Sequence, residues 1–175
     1  KSLYIQAPNF EGGREVVAGL KRYYKGSVVK EVFTPMTQQD FSAELTQIRL
    51  AAPEAVFAFY PGSLAINFVK QYAQAGLMSK IPLYTASSID GTNLPGMGDA
   101  PIGSYQTASW NPDLPNEANQ KFVVDYRKKY NAVPPFYAAY AYDAARLLAS
   151  ALRQTGGAGD HAALASAMEK AEFES

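Results

Sequence analysis

A chain of 175 residues that is 47% hydrophobic and 18% charged can build a folded core, which excludes a disordered segment. Its 16 Lys and Arg balance 16 Asp and Glu, so no basic surplus exists to release counterions from a phosphate backbone, and nucleic acid is not an expected partner. Cysteine is absent, which removes disulfides, thiol nucleophiles and cysteine metal sites, and the longest apolar runs are strand-sized, so no membrane insertion is expected.

Residues 3–7 form a short apolar run that stops at Pro8-Asn9 and reads as a buried strand. Val16, Val17, Leu20, Tyr23 and Tyr24 recur at helical spacing, and Gly26 is the expected stop. Residues 27–33 have strand character. Asp40 is placed to cap a helix whose inner face is Phe41, Leu45 and Ile48. Residues 55–60 are almost wholly apolar, as a central parallel strand covered on both faces requires. Pro61-Gly62-Ser63 turns the chain into a helix with Leu64, Phe68, Val69 and Tyr72 inward, stopped by Gly76. Residues 81–86 and 103–110 are the next strands, separated by a Gly- and Pro-rich loop that runs through Pro101.

Beyond Trp110 the pattern is helical. Asn116 caps a helix carrying Phe122, Val123, Tyr126 and Tyr130, ended by Pro134-Pro135. A longer helix presents Ala141, Ala145, Leu148 and Leu152 on one face, with Gly156-Gly157 behind it. Asp160 caps a last helix containing Leu164 and Met168. Strand–helix alternation at this spacing predicts an α/β fold with a doubly wound parallel sheet. The trailing helices have no strands of their own. They either cover the edge of this sheet or belong to a second lobe, and in the latter case their bare apolar faces predict association or domain exchange of the isolated chain.

In open parallel sheets a ligand sits beyond the carboxyl ends of the strands, at the point where strand order reverses. Those ends supply Asn9, Phe10, Thr34, Tyr60, Pro61, Gly62, Ser63, Ser87, Ser88, Asp90 and Trp110. Rings, hydroxyls and helix amino ends together suit a small molecule with an apolar body and an anionic end. Structural roles compete at several of these positions. Phe10 can plug the core edge, Ser88 and Asp90 can cap the next helix, and Trp110 fits packing better than ligand stacking. Nothing points to catalysis, a cofactor or a metal. His161 is the only histidine and reads as a surface residue beside a helix cap, and no nucleophile elbow, phosphate loop or zinc-type histidine pair occurs.

The order and spacing of five segments carry a resemblance. They are Tyr4-Ile5-Gln6-Ala7-Pro8-Asn9-Phe10-Glu11-Gly12-Gly13; Val32-Phe33-Thr34-Pro35 with Asp40-Phe41-Ser42-Ala43-Glu44-Leu45; Ala55-Val56-Phe57-Ala58-Phe59-Tyr60-Pro61-Gly62; Phe68-Val69-Lys70-Gln71-Tyr72-Ala73-Gln74-Ala75-Gly76-Leu77; and Pro135-Phe136-Tyr137-Ala138-Ala139-Tyr140-Ala141-Tyr142-Asp143-Ala144-Ala145. Across the whole chain the sequence resembles the second lobe and return segment of type I periplasmic solute-binding proteins, of the branched-chain amino-acid (Leu/Ile/Val) type. The wording is nearest to members that handle aromatic acids.

The resemblance implies two α/β lobes that close on a ligand by a hinge. Residues 1–109 are then the second lobe, and 110–175 the helices returning to the first. The first lobe and the strands beyond Phe173 are absent from this sequence, as in a carboxy-terminal fragment. It further implies a periplasmic or extracytoplasmic location, lipid-anchored in the full-length form, with ABC transporter permease subunits and a small carboxylate as partners. The ligand-binding positions it implies are Asn9, Phe10, Tyr60, Pro61, Gly62, Ser63, Ser87, Ser88 and Asp90. Amino-acid binders keep an acid for the ammonium where this chain has Ser87 and Ser88, with Asp90 displaced, which favours an acid without an amine. A ligand-sensing regulatory domain of the same fold and a small flavodoxin-like enzyme are the alternatives.

Overall fold

The computed structural model describes residues 1–172. Phe173 and the two residues after it, which the expected return segment includes, lie outside the described residues. The chain forms two compact units, Lys1–Ser109 and Trp110–Ser175.

In the first unit strands and helices alternate: β1 (Ser2–Pro8), α1 (Glu11–Tyr23), β2 (Ser27–Thr34), α2 (Ser42–Ala51), β3 (Ala55–Ala58), α3 (Gly62–Gln74), β4 (Leu83–Ala86), the short α4 (Leu94–Met97) and β5 (Tyr105–Thr107). All four pairings are parallel, in the order β2-β1-β3-β4-β5. The chain moves outward from β1 in both directions, so the switch point lies between β1 and β3.

Strand alternation divides the core between the two faces of the sheet. Tyr4, Val56, Ala58 and Leu83 face α2 and α3, where they meet Phe41, Leu45, Ile48, Leu64, Phe68, Val69 and Tyr72. Leu3, Ile5, Ala7, Ala55 and Phe57 face α1 through Val17. The rings of Phe41, Tyr60 and Tyr72 surround Phe68 with centroids at 5.3, 5.0 and 5.7 Å, and the Tyr72 hydroxyl donates to the Ile81 carbonyl at 2.9 Å.

Several boundaries differ from those expected, each for a local reason. α1 ends at Tyr23, where Tyr24 turns extended while its N–H still reaches the Leu20 carbonyl. Gly26 is therefore not the stop; a Cβ there would lie 2.4 Å from the Lys1 carbonyl oxygen, so its role is close approach. β3 stops at Ala58 rather than at residue 60: the Phe59 N–H still reaches the Gln6 carbonyl, but the Tyr60 N–H turns to the Ser88 hydroxyl. The Gly- and Pro-rich loop contains α4, and the last two strands shrink to four and three residues. Gly76, at φ +67, ends α3 as expected.

The second unit contains α5 (Glu117–Tyr130), α6 (Phe136–Thr155) and α7 (His161–Glu169). Asn116 and Asp160 cap α5 and α7 by accepting from the Asn119 and Ala163 N–H groups. Asn131, left-handed at φ 52, ends α5 before the prolines are reached, and Pro135 starts α6 instead. Phe122, Val123 and Ala139 form the small core of this unit, closed by Trp110, whose indole N–H donates to Asn119 at 2.8 Å. Trp110 is thus a packing residue. On α6 the buried positions are Ala139 and Ala151, whereas Ala141, Ala145 and Leu148 are exposed. A helix without a sheet buries the stripe between it and its helical neighbours, and the wider apolar face read from the sequence stays open.

Candidate functional site

The switch point is flanked by the loops that follow β1 and β3. After β1, the Asn9 N–H donates to the Thr34 carbonyl at 2.7 Å. The Asn9 side-chain oxygen accepts from Arg14 at 2.6 and 3.2 Å, and the Arg14 guanidinium lies 5.5 Å from the Phe33 ring centroid. This fixes the backbone that carries Phe10. The Phe10 ring, 37% exposed, stacks on Phe59 with centroids 6.4 Å apart and planes 22° from parallel. The first turns of α1 and α3 begin at Phe10 and Pro61, neither of which supplies a side-chain cap. Their first N–H groups thus have no acceptor from the capping side chain, and Glu11 places a carboxylate in the first turn of α1. Gly62, at φ +54, and the exposed Ser63 complete the rim after β3.

Tyr60 and Ser88 do not present their side chains as a ligand contact would require. Tyr60 is 1% exposed; its hydroxyl lies 3.1 Å from Thr34 Oγ1 and 3.3 Å from Gln6 Oε1. Ser88 is 2% exposed, accepts from the Tyr60 N–H at 3.1 Å and donates to the Ala86 carbonyl. The alternation that sends Phe59 to the α1 side of the sheet sends Tyr60 into the core on the other side.

After β4, Ser87 is left-handed at φ 47, a conformation that non-glycine residues seldom adopt, and its N–H donates to the Thr107 carbonyl. The Asp90 carboxylate turns onto its own loop and accepts from the Thr92 N–H and hydroxyl and from the Asn93 N–H. It therefore holds the turn that precedes α4 and does not cap that helix, whose N-cap position is Asn93. Of the expected positions, the structure brings Asn9, Phe10, Pro61, Gly62 and Ser63 together at the switch point, with Ser87 and Asp90 one strand further along the sheet.

Sequence reasoning missed Phe59 and Gln106. Phe59 lay inside an apolar run with no alternation to single it out. Gln106, on the edge strand β5, accepts from the Ile89 N–H and donates to the Ile89 carbonyl, which pins the loop after β4. No sequence spacing marks such a reach. Among the described residues no group of three or more His, Cys, Asp or Glu can hold a metal ion, and no helix is long and apolar enough to cross a membrane. His161 is exposed at the start of α7.

Burial pushes the hydroxyls of Tyr60 and Tyr72 well above their ordinary value of 10.0. The fold thus holds neutral phenols that the unfolded chain releases as phenolates. Their contribution to stability is fully present below about pH 10 and falls as the pH rises further, where the folded state retains protons that the unfolded state has lost. We expect the melting temperature to drop above about pH 10 and Tyr72→Phe to flatten that drop. A melting temperature independent of pH into that range contradicts this.

A match to a known family runs along the entire chain. The profile of the periplasmic binding protein family fits residues 1–175. The chain belongs to that family. It is 30% identical over 153 residues to Leu/Ile/Val-binding protein homolog 6 of Brucella melitensis, covering 85% of this chain and 39% of that protein. A solved R. palustris ABC-transporter solute-binding protein in complex with benzoate superposes with TM-score 0.93 at 31% identity, over 100% of this chain and 49% of that one. Another, from Rhodopseudomonas palustris BisB5 in complex with 3,4-dihydroxy benzoic acid, gives TM-score 0.90 at 31% identity, over 99% and 49%. The chain therefore spans about half the length of these solved relatives and less of the curated one.

Proposed function

We propose that this periplasmic-binding-protein chain is part of the extracytoplasmic solute-binding component of an ABC importer, which captures a small aromatic carboxylate and delivers it to the permease. Lys1–Ser109 is its second lobe, and the segment from Trp110 onward returns to the first. The observation that carries this reading is the exposed Phe10 ring, stacked on the part-buried Phe59, beside the uncapped starts of α1 and α3. A ring lies on the aromatic pair, and helix N–H groups meet the carboxylate. Ser87 and Ser88 stand where amino-acid binders keep an acid for the ammonium, and Asp90 Oδ1 is engaged by its own loop, which favours an acid without an amine. The relatives solved with benzoate and with 3,4-dihydroxy benzoic acid support the same ligand class.

The test is calorimetric titration of the full-length protein with benzoate and with leucine, before and after Phe10→Ala. Benzoate is expected to bind to the wild type and to weaken by about thirtyfold in the variant, the loss of a well-packed aromatic contact. Leucine binding with no response to benzoate moves the ligand to the branched-chain amino acids. Benzoate affinity unchanged by Phe10→Ala removes the aromatic stack from the site.

A further inference from the structure

The loops that frame the site converge on a residue that the ligand cannot touch. Tyr60 bonds to Thr34 at the end of β2 and to Gln6 inside β1 through its hydroxyl, and to Ser88 beyond β4 through its N–H. Each partner leads to the rim. The Thr34 carbonyl holds the Asn9 N–H, next to Phe10, and the Gln6 carbonyl accepts from the Phe59 N–H at 3.0 Å. Ser88 follows the left-handed Ser87, and its own carbonyl is held by Asn93 at 2.7 Å. Tyr60 is also the chain neighbour of both Phe59 and Pro61.

Packing alone does not call for a polar group in this position. The Tyr60 ring packs against Phe41 and Phe68 at 5.1 and 5.0 Å, and an apolar side chain of the same shape would fill the space. Buried polar networks cost stability unless satisfied, and in return they select a single arrangement of the groups they join. This network even leaves the Gln6 amide nitrogen buried without a partner. With Thr34 donating to the Tyr60 oxygen and Tyr60 donating to Gln6 Oε1, the hydroxyl fixes the ends of β1, β2 and β3 relative to one another.

We infer that Tyr60 is a positioning residue: its buried hydroxyl sets the Phe10–Phe59 stack and the start of α3 in the geometry that receives the ligand. This rests on the proposed aromatic-acid site. Without the hydroxyl the rim loops sample several arrangements, and the ligand must order them on binding.

The test uses the full-length protein, at a temperature where circular dichroism shows every variant folded, with benzoate as the titrant. Tyr60→Phe and Thr34→Val each remove the Thr34–Tyr60 bond while keeping shape; Thr34→Ser retains it. Tyr60→Phe and Thr34→Val are expected to weaken benzoate binding by about tenfold, the double variant by no more than the larger single effect, and Thr34→Ser by less than about twofold. If Tyr60→Phe does not fold, Thr34→Val against Thr34→Ser carries the comparison. Lower melting temperatures with benzoate affinities all within about twofold of wild type would overturn the inference and leave the aromatic-acid site standing. A wild-type protein that does not bind benzoate removes that site and the inference with it.

Discussion

Gly13→Ala is expected to lower the stability of the fold by about 2–3 kcal/mol, as overpacking of a tight contact does. A Cβ at this position would sit 2.2 Å from the Pro8 carbonyl oxygen and 3.4 Å from the Phe10 ring. The first of these is backbone, so no rotamer relieves it. The start of α1 must instead back away from the end of β1, carrying Phe10 with it. Alanine's better helix propensity returns at most about 1 kcal/mol. Gly12→Ala makes an instructive contrast, because its Cβ meets the edge of the Phe10 ring at 2.9 Å, a side chain that can turn. Urea unfolding of the full-length protein should show a large loss for Gly13→Ala and a smaller one for Gly12→Ala, with benzoate binding weakened in both. A stability change under about 0.5 kcal/mol for Gly13→Ala contradicts the close approach of strand and helix.

Phe68→Ala is expected to cost about 4 kcal/mol. Phe68 is 1% exposed and lies among the rings of Phe41, Tyr60 and Tyr72 between the sheet and α3. Truncation removes ring contacts on several sides, and rings anchored on different elements cannot all collapse into the gap. The loss should be visible as a lower denaturant midpoint. Tyr23→Ala, at a ring 73% exposed on α1, serves as the control and should stay within about 0.5 kcal/mol. Equal effects of the two substitutions would mean that the aromatic cluster does not hold α3 to the sheet.

The sequence makes the switch-point loops legible because their neighbours are strongly patterned. Apolar runs followed by Pro8-Asn9 or Pro61-Gly62 mark where strands end and helices start, and Leu45, Ile48, Leu64, Phe68, Val69 and Tyr72 recur at helical spacing and are all buried. Phe10 also carried weight through a family resemblance. The roles of Phe59 and Tyr60 were not legible. Inside the run 55–60 every residue is apolar, so no periodicity tells which side chain leaves the ladder and which returns to the core. Tyr60, expected at the ligand surface, has its side chain buried in the core. Gln106 escaped for a different reason, because its contact with Ile89 spans 17 residues and depends on a strand pairing that sequence spacing does not encode. On α6, two stripes share helical periodicity, and packing chose the one through Ala139 and Ala151.

As proposed, the protein holds an aromatic acid without changing it. Calorimetric titration of the full-length protein with benzoate, followed by recovery of the bound compound, tests this directly. Saturable binding at one site, with benzoate recovered intact, is the expected result. An absence of binding, or a recovered product that differs from benzoate, would contradict it.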